Sequence, residues 1–256
     1  MTDSMDELFS KLKQNNEGGL YNNLSVLYDF IYEKHYNYQN QLNVINENAC
    51  SNHEKVLEGA CGTGRLSNKL YDEFDELKAF DINNGVLDIA KQRNSDINFE
   101  NQDMLNLKFQ NEFDIYAVMG NAIVHLIKDD DFHRFATNAY TALNEDGLLI
   151  FDCMLSKNMV NGYSGSNEFE DDEYKVKRDI VTTHIEEDLY NFSCAFKIIN
   201  KNTNQTVRTG DSMKLRTYNT DNISTVLKSV GYSNIEFKSY EDYGAEIKDR
   251  IIVAKK

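Results

Sequence analysis

The segment Val56-Leu57-Glu58-Gly59-Ala60-Cys61-Gly62-Thr63-Gly64 crowds small residues where a short apolar run gives way to a helical stripe. Backbone N–H groups in such a turn stand open to a ligand, because no side chain intervenes and a helix N-terminus follows. Asp81 ends the next apolar run, 17 residues after Gly64, where a carboxylate in a doubly wound sheet meets ribose hydroxyls. Loop and acid together predict a nucleoside-containing ligand at the carboxyl ends of parallel strands. The glycine spacing is G-x-x-G-x-G. Nicotinamide and flavin dinucleotide sites use G-x-G-x-x-G, so those cofactors fit poorly. The plain alternative is a loop built only for tight strand-to-helix packing, with Asp81 a solvated strand end.

Further along, Asn121 offers an acceptor and two donors to a ligand, and His125, with an unperturbed pKa of about 6.5, is able to take a proton from a nucleophile. A turn asparagine and a packed histidine are the structural alternatives. Tyr28, Tyr32, Tyr36 and Tyr38 crowd one region, Tyr28 and Tyr32 as part of an apolar stripe. Arg216 and Tyr218 fall at the end of an alternating segment, as substrate contacts or as an ion pair and cap.

The elements that must position these groups follow from periodicity. Leu24, Leu27, Tyr28, Ile31 and Tyr32 mark an amphipathic helix, and Leu8, Phe9 and Leu12 a weaker pattern before a loop or hinge at Asn15, Asn16, Gly18 and Gly19. From Val56 strands and helices alternate. Apolar runs near 56–57, 77–81, 97–99, 113–119 and 148–152 alternate with stripes such as Phe132, Phe135, Ala136, Ala139, Tyr140 and Leu143, with a turn at 144–147. Parallel strands with helices on both faces are the simplest account. After Asp152 the period becomes 2, clearest at Tyr190, Phe192, Cys194, Phe196 and Ile198, while the acidic run at 168–173 reads as a solvated loop. A helix through Ile223 and Leu227 and strands near 235–239 and 250–254 close the first sheet. The expected organisation is a helical cap over 1–50, an α/β core over 51–155 and 219–256, and an inserted antiparallel sheet over 156–218, serving as a substrate roof or a dimerisation surface.

At Glu58 to Gly64 the chain resembles the class I S-adenosylmethionine (SAM) dependent methyltransferases, and the resemblance continues through Phe80-Asp81-Ile82, Gln102-Asp103-Met104 and Phe113-Asp114. It implies a Rossmann-like, doubly wound, mostly parallel seven-stranded sheet with a small antiparallel insertion, and SAM as cofactor. By the same resemblance Asp81, beside Ile82, binds the ribose hydroxyls and Asp103 and Met104 flank the adenine. Gly59, Ala60, Gly62 and Gly64 lie against the methionyl portion, with Tyr36 near it, and Glu58, Met119 and Gly120 complete the cofactor contacts. The run Met119-Gly120-Asn121-Ala122-Ile123-Val124-His125-Leu126 is similar to a segment of glycine N-methyltransferase, and the insertion is similar to that of amino-sugar N,N-dimethyltransferases. Both families methylate nitrogen in small metabolites. Met154 stands where the glycine enzyme carries its carboxylate-binding arginine, which argues against glycine as acceptor.

Composition limits the partners. The chain of 256 residues carries 27 basic and 42 acidic side chains, a formal charge of −15, which disfavours nucleic acid and anionic membrane surfaces. No apolar run approaches the roughly 20 residues of a membrane span, and the acidic start MTDSMDELFS lacks a secretory n-region, so a cytoplasmic location is expected. Cys50, Cys61, Cys153 and Cys194 are too scattered for a zinc site or disulfide framework, so neither metal nor disulfide is expected. Without proline, the Asn/Asp-Pro-Pro-aromatic motif of amino-group DNA methylases is absent. Two functions remain in view: a methyltransferase of a small molecule, at nitrogen, and a SAM-binding sensor or partner protein without catalysis. The two differ in turnover.

Overall fold

The computed structural model describes residues 4–14, 19–51, 54–155, 161–243 and 250–256. Three helices come first, α1 (Met5–Gln14), α2 (Ser25–His35) and α3 (Tyr38–Asn48). Strands and helices then alternate: β1 (Lys55–Gly59), α4 (Arg65–Glu73), β2 (Glu76–Asp81), α5 (Asn84–Arg93), β3 (Asn98–Asn101), β4 (Phe113–Val118), α6 (Asp131–Ala142) and β5 (Leu143–Cys153). Four antiparallel strands follow, β6 (Ser164–Glu170), β7 (Tyr174–Glu186), β8 (Leu189–Asn200) and β9 (Gln205–Arg216). Helix α7 (Thr220–Val230), β10 (Ser233–Ser239) and β11 (Arg250–Lys255) complete the chain.

The first sheet has seven strands in the order β10-β11-β5-β4-β1-β2-β3. Strands β1 to β5 are parallel, and β11 runs antiparallel to both β5 and β10. Strand order reverses between β1 and β4, and such a reversal opens a crevice at the carboxyl ends of the two strands. Both faces of the sheet are covered, so the central strands are apolar nearly throughout: Val56, Leu57, Ile115, Tyr116, Ala117 and Val118 are fully buried. The stripe of α6 packs as its spacing predicts, with Phe132, Phe135, Ala136 and Ala139 buried against the sheet. The turn expected at 144–147 is instead an irregularity inside β5, where pairing jumps from Phe113↔Leu143 to Ile115↔Leu148 and Asp146 takes a positive φ of 66°.

Strands β6 to β9 form the second sheet, in chain order. The acidic run at 168–173 is not wholly loop: β6 extends through Glu170 and pairs with β7. Only Phe169 of that strand is buried, so the edge position hides its periodicity. One face of this sheet, including Phe169, Val176, Cys194, Phe196, Ile198 and Val207, forms a single apolar cluster with Leu8, Phe9 and Leu12 of α1 and Leu24, Leu27 and Ile31 of α2. The weak N-terminal pattern is therefore a docked helix. The apolar face that suggested dimerisation is covered within the chain. Asn15, Asn16 and Gly18 of the expected hinge, and residues 156–160 at the start of the expected insertion, lie outside the described residues.

Candidate active site

A cleft of about 400 Å³ opens at the carboxyl ends of β1, β2, β3 and β4. Its floor begins at the glycine loop, where Ala60, Gly62 and Gly64 all take left-handed φ values, 53°, 55° and 73°. A Cβ on Gly62 would stand 3.4 Å from the Tyr28 hydroxyl and narrow the cradle. Ala60, Cys61, Gly62 and Thr63 line the cleft. Gly59 and Gly64, read as cofactor contacts, do not. A Cβ on Gly59 would strike the Tyr116 hydroxyl at 2.8 Å, and one on Gly64 would meet Ala90 and Phe99 at 3.0 Å, so both keep helix and strands close.

Asp81 lines the cleft at the end of β2 and is only 7% exposed. Its carboxylate accepts from the Gly62 N–H at 3.0 Å and the Asn83 N–H at 2.8 Å, tying the two loops together. Burial raises its pKa, and these N–H donors oppose the rise. Glu58 also lines the cleft; burial pushes its pKa up to about 8, against the hydrogen bond from Ser67. Ile82, exposed at the rim, and Met104 supply apolar walls. Asp103 lines the same wall and caps the 3-10 turn Met104–Asn106, accepting from the Leu105 N–H at 2.8 Å.

After β4 the chain turns through two left-handed residues, Gly120 (φ 82°) and Asn121 (φ 62°). Asp152, at the end of β5 and 2% exposed, holds this turn by accepting from the Gly120 N–H at 2.9 Å and the Asn121 N–H at 2.6 Å, and also takes the Tyr240 hydroxyl at 2.7 Å. Met119, Gly120, Ala122 and His125 line the cleft, whereas Asn121 does not. Asn121, expected to contact a ligand, is held in this turn through its backbone N–H to Asp152. His125 ends the 3-10 turn Ala122–His125, its Nε2 3.0 Å from the Tyr21 hydroxyl. The imidazole is open to the cleft but enclosed by protein on its other sides, and that enclosure lowers its pKa. It is therefore neutral at neutral pH.

The opposing wall is aromatic. Tyr21, Tyr28, Tyr36 and Tyr38 line it, and their rings run in a row with Tyr32, centroids 4.4 to 6.1 Å apart. Four-residue spacing on α2 produces the contacts Tyr28–Tyr32 and Tyr32–Tyr36. Tyr36 donates to the Gly120 carbonyl at 3.2 Å, closing the wall onto the β4 loop. Burial pushes the Tyr21 and Tyr28 hydroxyls well above their ordinary pKa, so they remain neutral.

Arg216 and Tyr218, expected to touch substrate, do not line the cleft. Arg216 donates to the Ile127 carbonyl at 3.0 Å and pairs with Asp129 at 2.9 Å; Tyr218 donates to the Leu126 carbonyl at 2.7 Å. They dock the end of the second sheet onto the segment that follows His125. Sequence reasoning missed Tyr21, Asn83 and the holding role of Asp152. Tyr21 lies in an aperiodic turn before α2, and Asp152 reads only as a strand end. Among the described residues no three His, Cys, Asp or Glu gather as metal ligands, all four cysteines are free, and no helix is long and apolar enough to cross a membrane.

The residues present fit SAM: a side-chain-free cradle at Ala60 and Gly62, a carboxylate at Asp81, and apolar walls at Ile82 and Met104. Sheet order and cradle together are those of a Rossmann-like domain suited to SAM. Comparison with known proteins agrees: residues 56–147 match the family model described as a methyltransferase domain. A protein of Geobacillus sp. (strain WCH70) named as a methyltransferase is 28% identical over 103 residues, 39% of this chain and 42% of that one. The match thus spans less than half of that relative's length. Among solved structures, CalS10, a SAM-bound amino pentose methyltransferase from Micromonospora echinaspora, superposes with a TM-score of 0.79 at 14% identity, covering 90% of this chain and 96% of that one. The sugar N-methyltransferase KedS8 from Streptoalloteichus sp. gives 0.75 at 16% identity, with 94% of each chain covered. At such identities these two likenesses speak for the fold.

Proposed function

We propose that the whole chain methylates a small-molecule acceptor at nitrogen, using SAM held by Gly62, Asp81, Met104 and their neighbours. SAM supplies a methyl group on a sulfonium, and its transfer is an in-line displacement in which the protein's task is alignment and exclusion of water. The observation that carries the reading is the His125–Tyr21 pair on the cleft wall. An amine attacks only when neutral. With its pKa lowered by enclosure, His125 is neutral at neutral pH, and a proton leaving the acceptor nitrogen has a place at Nε2, directly or through the Tyr21 hydroxyl. The names of the two structural neighbours, an amino pentose and a sugar N-methyltransferase, support the same acceptor chemistry.

The second sheet roofs the acceptor end. Its strand β9 brings Asp211 to the Leu20 N–H at 2.7 Å and the Met213 sulfur to 3.9 Å from the Tyr21 hydroxyl, while Arg216 grips the segment after His125. The test is incubation with methyl-labelled SAM and a mixture of amine metabolites, read by mass spectrometry. Labelled amines are expected; a chain that binds SAM and labels nothing is a sensor or partner protein instead.

A further inference from the structure

Between α2 and the glycine loop lies a charge cluster that the proposed chemistry does not use. Asp29, on α2, accepts from the Thr63 hydroxyl, from Arg65 Nε at 2.9 Å and a terminal Arg65 nitrogen at 2.8 Å, and from one Arg93 nitrogen at 2.9 Å to each oxygen. Arg93 also donates to the Thr63 carbonyl. Thr63 belongs to the glycine loop, Arg65 opens α4 and Arg93 ends α5, so one carboxylate joins three parts of the SAM-binding half to α2. These three charged side chains are only 18 to 20% exposed, so solvent screens the cluster weakly. Burial alone would raise the Asp29 pKa, but the donors of Arg65, Thr63 and Arg93 hold it below the ordinary carboxylate value.

The rest of the segment from Leu20 to Tyr36 is pinned around the same cleft. The Asn22 side chain donates to Asn83 at 3.2 Å and accepts from the Gly85 N–H at 3.3 Å. A Cβ on Gly85 would stand 2.6 Å from the Asn22 backbone, so this crossing needs glycine there. At the far end Tyr36 reaches the Gly120 carbonyl. Tyr21, just before the first pin, and Tyr28, between the two, face the cleft, with the Tyr28 hydroxyl beside Gly62. The segment is a strap across the cofactor cradle, and Asp29 is the point where it carries most charge-assisted bonds.

We infer that Asp29 is a positioning residue for the cofactor: its ionic clamp on Thr63, Arg65 and Arg93 holds the tyrosine strap closed over the glycine loop and so controls how tightly SAM is retained. The inference rests on the SAM reading of the cleft. Asp29→Asn keeps the shape and the acceptor for Thr63 but removes the charge that gathers both guanidinium groups.

Hydrogen exchange read by mass spectrometry on the ligand-free full chain tests the clamp directly. Segment 20–36 is expected to exchange at least tenfold faster in Asp29→Asn than in the parent, with α1 and β7 to β9 unchanged. Calorimetry with SAM is expected to show at least tenfold weaker binding. Glu33→Gln serves as the control, since Glu33 also pairs with Arg65 but is half exposed; it should change neither readout by more than about twofold. Unchanged exchange over 20–36, unchanged SAM affinity, or an equal effect from Glu33→Gln overturns the inference. Should Asp29→Asn lose its fold by circular dichroism, Arg93→Gln removes the same clamp from the other side and is judged by the same criteria. If the parent chain fails to bind SAM, the cofactor reading falls, while the exchange experiment still decides whether Asp29 holds the strap.

Discussion

Asp81 ties two loops together and, in the proposed site, also meets the cofactor. Its oxygens already accept from Gly62 and Asn83, and the cofactor's ribose hydroxyls are the donors that a carboxylate in this place suits. Asp81→Ala is therefore expected to weaken SAM binding by about 1.5–3 kcal/mol, the scale of lost charge-assisted hydrogen bonds. Calorimetry on the folded mutant measures it, and unchanged affinity would remove Asp81 from the site. Glu58 makes a pH prediction. Its folded pKa, about 8, lies above the ordinary 4.5, so between those values the native chain holds a proton that the unfolded chain has released. Stability then falls as pH rises through that window. Glu58→Gln, which keeps an acceptor for Ser67, should match the parent near pH 5 and exceed it near pH 9 in urea midpoint. Equal midpoints at both values would mean that Glu58 is solvated in the native state.

Among the elements, α1 has the least local support and a large tertiary role. Its 10 residues are short for an isolated helix, so its stability comes from burying Leu8, Phe9 and Leu12 against the second sheet. Phe9→Ala is expected to cost about 3–5 kcal/mol, the range for a buried aromatic, in chemical denaturation. A cost below about 1 kcal/mol would show that α1 is undocked in solution. The strand end at Arg216 acts through an element as well. Because Arg216 grips the Ile127 carbonyl and Asp129, Arg216→Ala should raise the acceptor's KM or lower kcat through the His125 segment and leave SAM affinity nearly unchanged. A loss of SAM affinity as large as the kinetic loss would break that account.

For the molecule as a whole, charge bears on the partners it would attract. A formal −15 repels phosphate backbones at distances well beyond contact. Filter binding at physiological salt should detect no submicromolar complex with DNA or RNA, and such a complex would put the small-molecule reading in question. The two sheets are joined through the strap and α1 as well as by the chain itself, since the cluster built on Phe196 and Ile198 includes Leu24, Leu27 and Ile31. The apolar face that would otherwise seek a second copy is thereby satisfied inside one chain.

The sequence by itself determined what depends on neighbours along the chain. The alternation of apolar runs and helical stripes gives the parallel sheet, because strand and helix periods are local. Gly62 and Asp81 are legible because a cradle and a strand-end acid need particular residue types at a particular spacing. The tertiary structure decided what depends on contacts between distant segments. Gly59 and Gly64, expected to contact the cofactor, are crowded by Tyr116, Ala90 and Phe99 from other elements. Strand β6 stayed hidden because an edge strand with one buried residue carries almost no periodic signal. Tyr21 met His125 across 104 residues, and Asp29 gathered Thr63, Arg65 and Arg93 across 34 to 64. No local pattern encodes such meetings: a hydrogen bond between side chains far apart in sequence exists only once the backbone has brought them together.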